Sequence, residues 1–393
     1  MNEETITKGK TAVRDAIDDL RPHLVELAQR IHANPEIAFE EINAARWLSE
    51  AAGDAGFHVE QPIGGLKTAF RASYMGEQGG PIIAFLAEYD ALPKLGHACG
   101  HNLIGPASLG AAVGVAKGID ALPGTVQLIG TPAEEGGGGK VILTEAGVFD
   151  GVDAAMMVHP SGKTVLWKHA LARRKLSVEF FGKSSHASGA PEEGINALDA
   201  AIQTFVNINA LRQHIAESSR IHGVITDGGE VPNVVPDHSA ALFYVRAIND
   251  GDCDALLERV KNCARAAATA TGAKVKLELQ GSYKSLRTNM RLAETFKQNL
   301  EALGWQFDDI DPLKRIGSTD VANVSHVVPA IHPYVSIGPT DLPGHSTEFA
   351  DAAASQKGYD AMIAAAKALA MTAVDVLFSP LLLSAIRTEF DRG

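Results

Sequence analysis

Apolar residues recur at helical spacing from about Thr11 to His32, and Pro35 lies just beyond, which predicts a first helix. A second helix is predicted from about Glu40 to Ala55. The pattern then changes period. Pro81–Ala87 is a continuous apolar run, as expected for a strand buried on both faces. Thr125–Gly130, Ala154–Val158 and Tyr334–Ile337 read as three more strands. Strands separated by helical stretches predict an α/β domain on a mixed sheet, parallel in part. Near Arg173 a different rhythm begins. Lys175–Phe181 reads as a strand, Asn196–His214 as a helix, and Arg220–Asp227 and Ala240–Ala247 as strands. Asp252–Thr271 reads as a helix and Lys274–Leu279 as a last strand. The order β-α-β-β-α-β is ferredoxin-like α+β. The chain is thus expected to form a first domain from residues 1–172 and 286–393, interrupted by an inserted one over 173–285. The apolar stretch Ala361–Phe378 contains Lys367 and Asp375, and its Ala-rich helical period predicts a packed helix rather than a membrane span.

Composition adds limits. The chain has 393 residues, 46% of them hydrophobic and 21% charged, enough for two domains with ample cores. A formal net charge of −12 argues against a nucleic-acid or anionic-membrane partner. Cys99, Cys253 and Cys263 make an odd count without dense spacing, so a disulfide framework is not expected and a reducing, cytoplasmic compartment is. Met1–Lys10 is polar and lacks the apolar core of a signal peptide.

The chemistry concentrates at strand ends. Gly96-His97-Ala98-Cys99-Gly100-His101-Asn102 places a thiol and an imidazole two residues apart. Glu134-Glu135 follows the second predicted strand, His159 the third, and His345 lies in a polar turn after the fourth. Asp90 lies just past the first. In open α/β sheets ligands gather beyond the carboxyl ends of the strands, so these residues are expected to converge. Taken singly, each has a plainer reading: a buried thiol, a solvated acid pair, a structural histidine, an aspartate capping a strand. Together, thiolate, imidazole and carboxylate suit zinc, manganese or cobalt. An acid beside a ligand acid suggests a general base for an activated water. Asp90 could orient a ligating histidine, and His97 reads as structural. Gly136–Gly139 is not a phosphate loop, because Lys140 is followed by Val141 rather than Ser or Thr.

These motifs resemble, nearly end to end, the amidohydrolase branch of the aminoacylase and glutamate-carboxypeptidase metallopeptidases. That branch includes hippurate, auxin-conjugate, aminobenzoyl-glutamate and dipeptide hydrolases. The resemblance runs from Arg30-Ile31-His32-Ala33-Asn34-Pro35-Glu36 through Asp90-Ala91-Leu92-Pro93, His97–His101 and Pro132-Ala133-Glu134-Glu135-Gly136. It continues through Gly182-Lys183-Ser184-Ser185-His186-Ala187, Pro232-Asn233-Val234-Val235-Pro236 and Gly317-Ser318-Thr319-Asp320.

The resemblance implies a dimetal site with Cys99 bridging two divalent ions and His101, Glu135, His159 and His345 completing the ligands. It implies Glu134 as general base. It implies His186, carried on an inserted lid and dimerisation domain and often acting in the partner subunit, as the group that polarises the scissile carbonyl. Asn233 and Arg246 match lid positions that contact substrate, and Arg246 could hold a carboxylate. The implied partner is a small-molecule amide: an N-acyl amino acid, an aminobenzoyl-amino acid or a dipeptide. Asn102 stands where many members have Asp, and Glu88-Tyr89-Asp90 where Asp-Met-Asp is common; both resemble the dipeptidase-like subset. The same water could instead attack a carbon bearing an amino group, so hydrolytic deamination of an aromatic amine is the competing expectation. A non-catalytic binding protein on this fold would have lost Glu134 or a ligand, and neither is lost.

Overall fold

The computed structural model describes residues 3–76, 80–314 and 316–392. Met1 and Asn2 of the polar amino-terminal stretch lie outside them. Twelve strands occur among the described residues. In chain order they are β1 (His58–Glu60), β2 (Phe70–Met75), β3 (Ile82–Ala87), β4 (Thr125–Gly130), β5 (Ala154–Met156) and β6 (His159–Ser161). β7 (Ala172–Phe181), β8 (Arg220–Asp227), β9 (His238–Ala247), β10 (Lys274–Tyr283), β11 (Ala330–Ile331) and β12 (Tyr334–Ser336) follow. The chain divides into two compact units, one of residues 1–169 and 286–393 and the other of residues 170–285.

The first unit is α/β on a mixed six-stranded sheet, ordered β1-β2-β4-β3-β5-β11. β4, β3, β5 and β11 run parallel, while β1 and β2 are antiparallel additions at one edge. Ile83, Ala84, Phe85, Leu86 and Ala87 are all buried, which explains the unbroken apolar run of β3. The helix Glu3–Ala33 begins eight residues earlier than its apolar period showed. Its first turns are mostly polar and so lack an apolar period, and Glu3 and Glu4 sit where the helix dipole favours negative charge. It lays Val13, Ile17, Leu24, Ala28 and Ile31 against the helices His101–Gly118 and Gln356–Phe378. A Cβ on Gly114 would stand 2.5 Å from Ile17, so close helix packing requires glycine there. The helix Gln356–Phe378 is long and apolar enough to cross a membrane, but 89% of its most apolar window is buried inside this unit.

One strand differs from expectation. Tyr334–Ser336 does not join the six-stranded sheet; it pairs in parallel with His159–Ser161 in a separate two-stranded sheet. The two-residue β11, too short for any periodicity, takes the sheet position beside β5. Pro333 separates the two segments, and its carbonyl accepts a hydrogen bond from the His159 amide.

The second unit is a four-stranded antiparallel sheet, ordered β10-β7-β9-β8, with the helices Ala197–Arg212 and Asp250–Thr271 on one face. β7 and β9 alternate buried and half-buried positions along their length. Leu176, Val178, Phe180, Phe243 and Val245 meet Ala200, Leu256 and Val260 in its core. Asn196 and Asn249 cap the two helices by accepting backbone N–H bonds.

Candidate active site

Because β3, β4 and β5 are parallel, the segments leaving their carboxyl ends emerge on one side of the sheet. Asp90 leaves β3. The helix His101–Gly118 starts from Gly100, whose φ of 79° is left-handed, and a Cβ there would lie 2.8 Å from Pro160. Gly100 therefore lets the Cys99–His101 turn press against β6, and Cys99 Sγ lies 3.4 Å from His159 Nε2. After β4, Ala133 adopts a left-handed φ of 62°, a costly conformation for a residue with a Cβ. Its carbonyl accepts the amides of Gly137 and Gly138, which closes the acidic loop. His345 also has a left-handed φ, 59°, and its amide donates to the Ala98 carbonyl, joining this turn to the cysteine segment. Ser346 then caps the helix Thr347–Ala353.

These turns bring together Cys99, His101, Glu134, Glu135, His159 and His345. Three overlapping groups have ligand atoms within 4.8 Å of one another: Cys99, His101 and His159; Cys99, Glu135 and His345; His101, Glu134 and Glu135. His345 Nε2 is 3.2 Å from Glu135 Oε1. His101 Nδ1 contacts the Asp90 carbonyl at 2.9 Å and Asp90 Oδ1 at 3.1 Å, which leaves Nε2 for the cluster. Asp90 Oδ2 accepts the Glu135 amide at 2.9 Å, so one carboxylate orients a histidine and the acidic loop together. His101 Nε2 is buried without a hydrogen-bond partner. A soft, nitrogenous and acidic donor set around such an atom fits a divalent ion of the zinc or manganese kind.

The electrostatics follow from burial among like charges. Burial, then Glu88, Asp320 and Glu135, raise Glu134 well above the usual carboxylate range. Burial pushes Glu135 the same way, but the His345 hydrogen bond, His101 and Cys99 prevail and its net shift is downward. Burial lowers His159 to about 4, so its ring is neutral and available as a ligand. Burial lowers His97 to about 3; its Nε2 faces the Ile31 carbonyl at 3.1 Å, away from the cluster.

Sequence reasoning passed over Glu41 and His332. Glu41 is fully buried and accepts the amides of Phe39 and Ala133 and the Thr68 hydroxyl, so it braces the strained residue before Glu134. Burial raises it to about 7. His332 follows β11, with its ring centroid 5.4 Å from that of His159 and both nitrogens buried without partners. The only sequence signal for either was a polar residue beside apolar ones.

His186, Asn233 and Arg246 belong to the second unit. His186 and Val234 form a β-bridge, and the Ala187 amide donates to the Asn233 carbonyl, so the two loops are tied together. His186 Nδ1 accepts the amides of Ser188 and Gly189 at 3.3 and 3.1 Å. Nε2 therefore carries the proton and is a donor. Arg246 lies apart from these loops, directly opposite Arg173 on β7. The Nε atoms of both arginines are buried without hydrogen-bond partners, and Tyr283 and Tyr244 lie under the Arg173 guanidinium at 3.6 and 4.9 Å.

Residues 84–368 match the family model described as peptidase family M20/M25/M40. The chain belongs to that family. It is 41% identical to the Xaa-Arg dipeptidase of Mus musculus over 97% of this chain and 92% of that protein. It is 35% identical to one subunit of the p-aminobenzoyl-glutamate hydrolase of Escherichia coli over 79% and 69% of the two. In fold, this M20 chain is similar to an aminobenzoyl-glutamate utilization protein from Klebsiella pneumoniae, with a TM-score of 0.74, 21% identity and coverage of 92% and 97%. It is also similar to a dinuclear metal binding M20 peptidase from Bacillus subtilis, with a TM-score of 0.70, 22% identity and coverage of 92% and 99%. This M20 protein is thus a metallopeptidase-type enzyme that hydrolyses amide bonds. Deamination, the competing expectation, is not favoured by these relatives.

Proposed function

We propose that this enzyme is a dipeptidase whose centre holds two divalent ions, zinc or manganese with cobalt as a substitute. The observation that carries the reading is the cluster of thiolate, imidazole and carboxylate donors around Cys99, with one acid, Glu134, beside a ligand acid. Cys99, His101, Glu135, His159 and His345 are the ligands, and Asp90 holds His101 in its ligating tautomer. When bound, the ions acidify water and polarise the amide carbonyl. Glu134 takes the proton of the attacking water, and the negative charges around it keep that proton in place until it passes to the leaving amine. His186 is a lid residue. Its Nε2–H donor suits an oxygen on which negative charge develops. Asn233, tied to the same loop, contacts substrate. Arg246, with no hydrogen-bond partner at its buried Nε, suits the carboxylate of a carboxyl-terminal residue. The three unpaired cysteines suit a reducing, cytoplasmic setting.

The 41% identity to a Xaa-Arg dipeptidase over 92% of that protein supports a dipeptide substrate. Metal-loaded enzyme is expected to turn over Xaa-Arg and other dipeptides faster than p-aminobenzoyl-glutamate or indole-3-acetyl-aspartate. Faster cleavage of either acyl conjugate in a side-by-side kcat/KM panel would discard the dipeptide assignment and keep the hydrolase.

Residues 173–285 are proposed as a lid through which the protein forms a homodimer, with His186 serving the partner's centre. A lid that closes over substrate excludes water and completes the donor set. Inactive Glu134→Gln and inactive His186→Ala protein, mixed under subunit exchange, are expected to recover activity. Verified exchange without recovery would place His186 in its own chain's site or outside catalysis.

A further inference from the structure

Three residues left over from the metal cluster meet directly behind it. Glu88 follows β3 directly, Lys140 lies in the first turn of the helix Gly139–Glu145, and Asp320 precedes the helix Val321–Val324. All three are fully buried. Lys140 Nζ donates to Glu88 Oε1 at 2.6 Å and to Asp320 Oδ1 at 2.9 Å. The Lys140 amide donates to Asp320 Oδ2 at 3.0 Å. One buried ammonium therefore fixes two carboxylates and ties the acidic loop to β3.

A buried ion triad is a costly way to gain stability, since well-packed apolar residues usually do as well or better. This triad is also incomplete. Glu88 Oε2 is buried without a hydrogen-bond partner, a loss that folding alone does not explain. It points at His101 Nε2, 3.4 Å away, which has no hydrogen-bond partner either. That nitrogen is the free face of His101, because Nδ1 is held by Asp90. Carboxylate oxygen and imidazole nitrogen each lie about 2.1 Å from a bound zinc ion, and at the tetrahedral angle two such ligands stand about 3.4 Å apart. The two orphaned atoms have the spacing of neighbours on one ion.

We propose that Glu88 is a further ligand of the metal centre, on the ion held by His101, and that Lys140 and Asp320 are its positioning residues. Lys140 occupies one oxygen and leaves the other for the metal, and its charge offsets part of the added negative charge. The resulting site has one more acid than the sequence motifs indicated.

The proposal rests on His101 being a ligand, so the test includes His101→Ala as a reference. Metal-depleted wild type, Glu88→Gln and His101→Ala are titrated with Zn²⁺ and Mn²⁺ by calorimetry, with metal content measured after gel filtration. Glu88→Gln keeps the acceptor for Lys140. It is expected to melt near wild type without metal and to bind one of its two ions at least about tenfold more weakly, the loss seen for removing even an outer partner of a ligand. Unchanged affinity for both ions in Glu88→Gln, with loss in His101→Ala, overturns the Glu88 assignment alone. Unchanged affinity in His101→Ala overturns the underlying reading of the centre. Should Glu88→Gln fail to fold, Glu88→Asp keeps the charge and withdraws the oxygen by one methylene. Weaker binding in that variant supports the proposal, and wild-type affinity overturns it.

Discussion

Glu134→Gln is expected to keep its fold and its metal and to lose roughly a hundredfold or more in turnover, the contribution typical of a positioned general base. The substitution preserves size and one acceptor oxygen but cannot take a proton. Glu134 stands among Glu88, Asp320 and Glu135, and burial with these charges raises its affinity for a proton. An acid in that environment holds a proton taken from water long enough to return it to a departing amine. The left-handed Ala133 and the glycine turn that follows fix the loop by backbone contacts, which the substitution does not touch. The check is kcat on protein of known metal content. Near-normal turnover in a fully loaded variant would remove Glu134 from proton transfer.

The second large effect concerns the thiol. Cys99→Ala is expected to lose most of its bound metal and nearly all activity, because Cys99 belongs to two of the three donor groups. The same geometry sets a pH dependence. In the metal-free protein burial pushes the Cys99 thiol above its ordinary value, so it is protonated near neutrality. Burial opposes a proton on His101, but the neighbouring negative charges, Asp90 and Glu88 among them, prevail and raise it well above the usual imidazole range. Both groups must give up protons to bind an ion, so binding releases protons and affinity falls as pH falls. Calorimetry of metal binding in two buffers of different ionisation heat would count them. No proton release in wild type, or full metal occupancy in Cys99→Ala, would contradict this account.

How much of this was legible beforehand depends on how local each signal is. β3 was plain because burial on both faces leaves an unbroken apolar run. Tyr334–Ser336 carries the same signal yet sits elsewhere, since composition reports burial and not which neighbour provides it. β11 has two residues and no period to detect. Cys99 and His101 announce themselves by spacing, and Glu134-Glu135 by adjacency. Glu88 shows in the sequence only as part of Glu88-Tyr89-Asp90, with nothing to mark it as a ligand. Its meaning lies in Lys140, 52 residues away, and in Asp320, a further 180 beyond. Lys140 itself reads as a failed phosphate-loop lysine until its partners are seen. Local pattern finds groups that act where they stand in the chain; it misses those defined by a contact made only on folding.

The discontinuity of the first unit has a consequence for biosynthesis. As the ribosome extends the chain, β1 to β6 emerge first, and Cys99, His101, Glu134, Glu135 and His159 with them. The segment 170–285 is contiguous and carries its own core, so it can fold as it appears. The first unit cannot close until β11, the helix Gln356–Phe378 and His345 are made. During that interval a nascent chain displays Cys99, His101 and His159 without His345. The order of translation thus exposes the half-built core to aggregation whenever elongation stalls between residues 285 and 378.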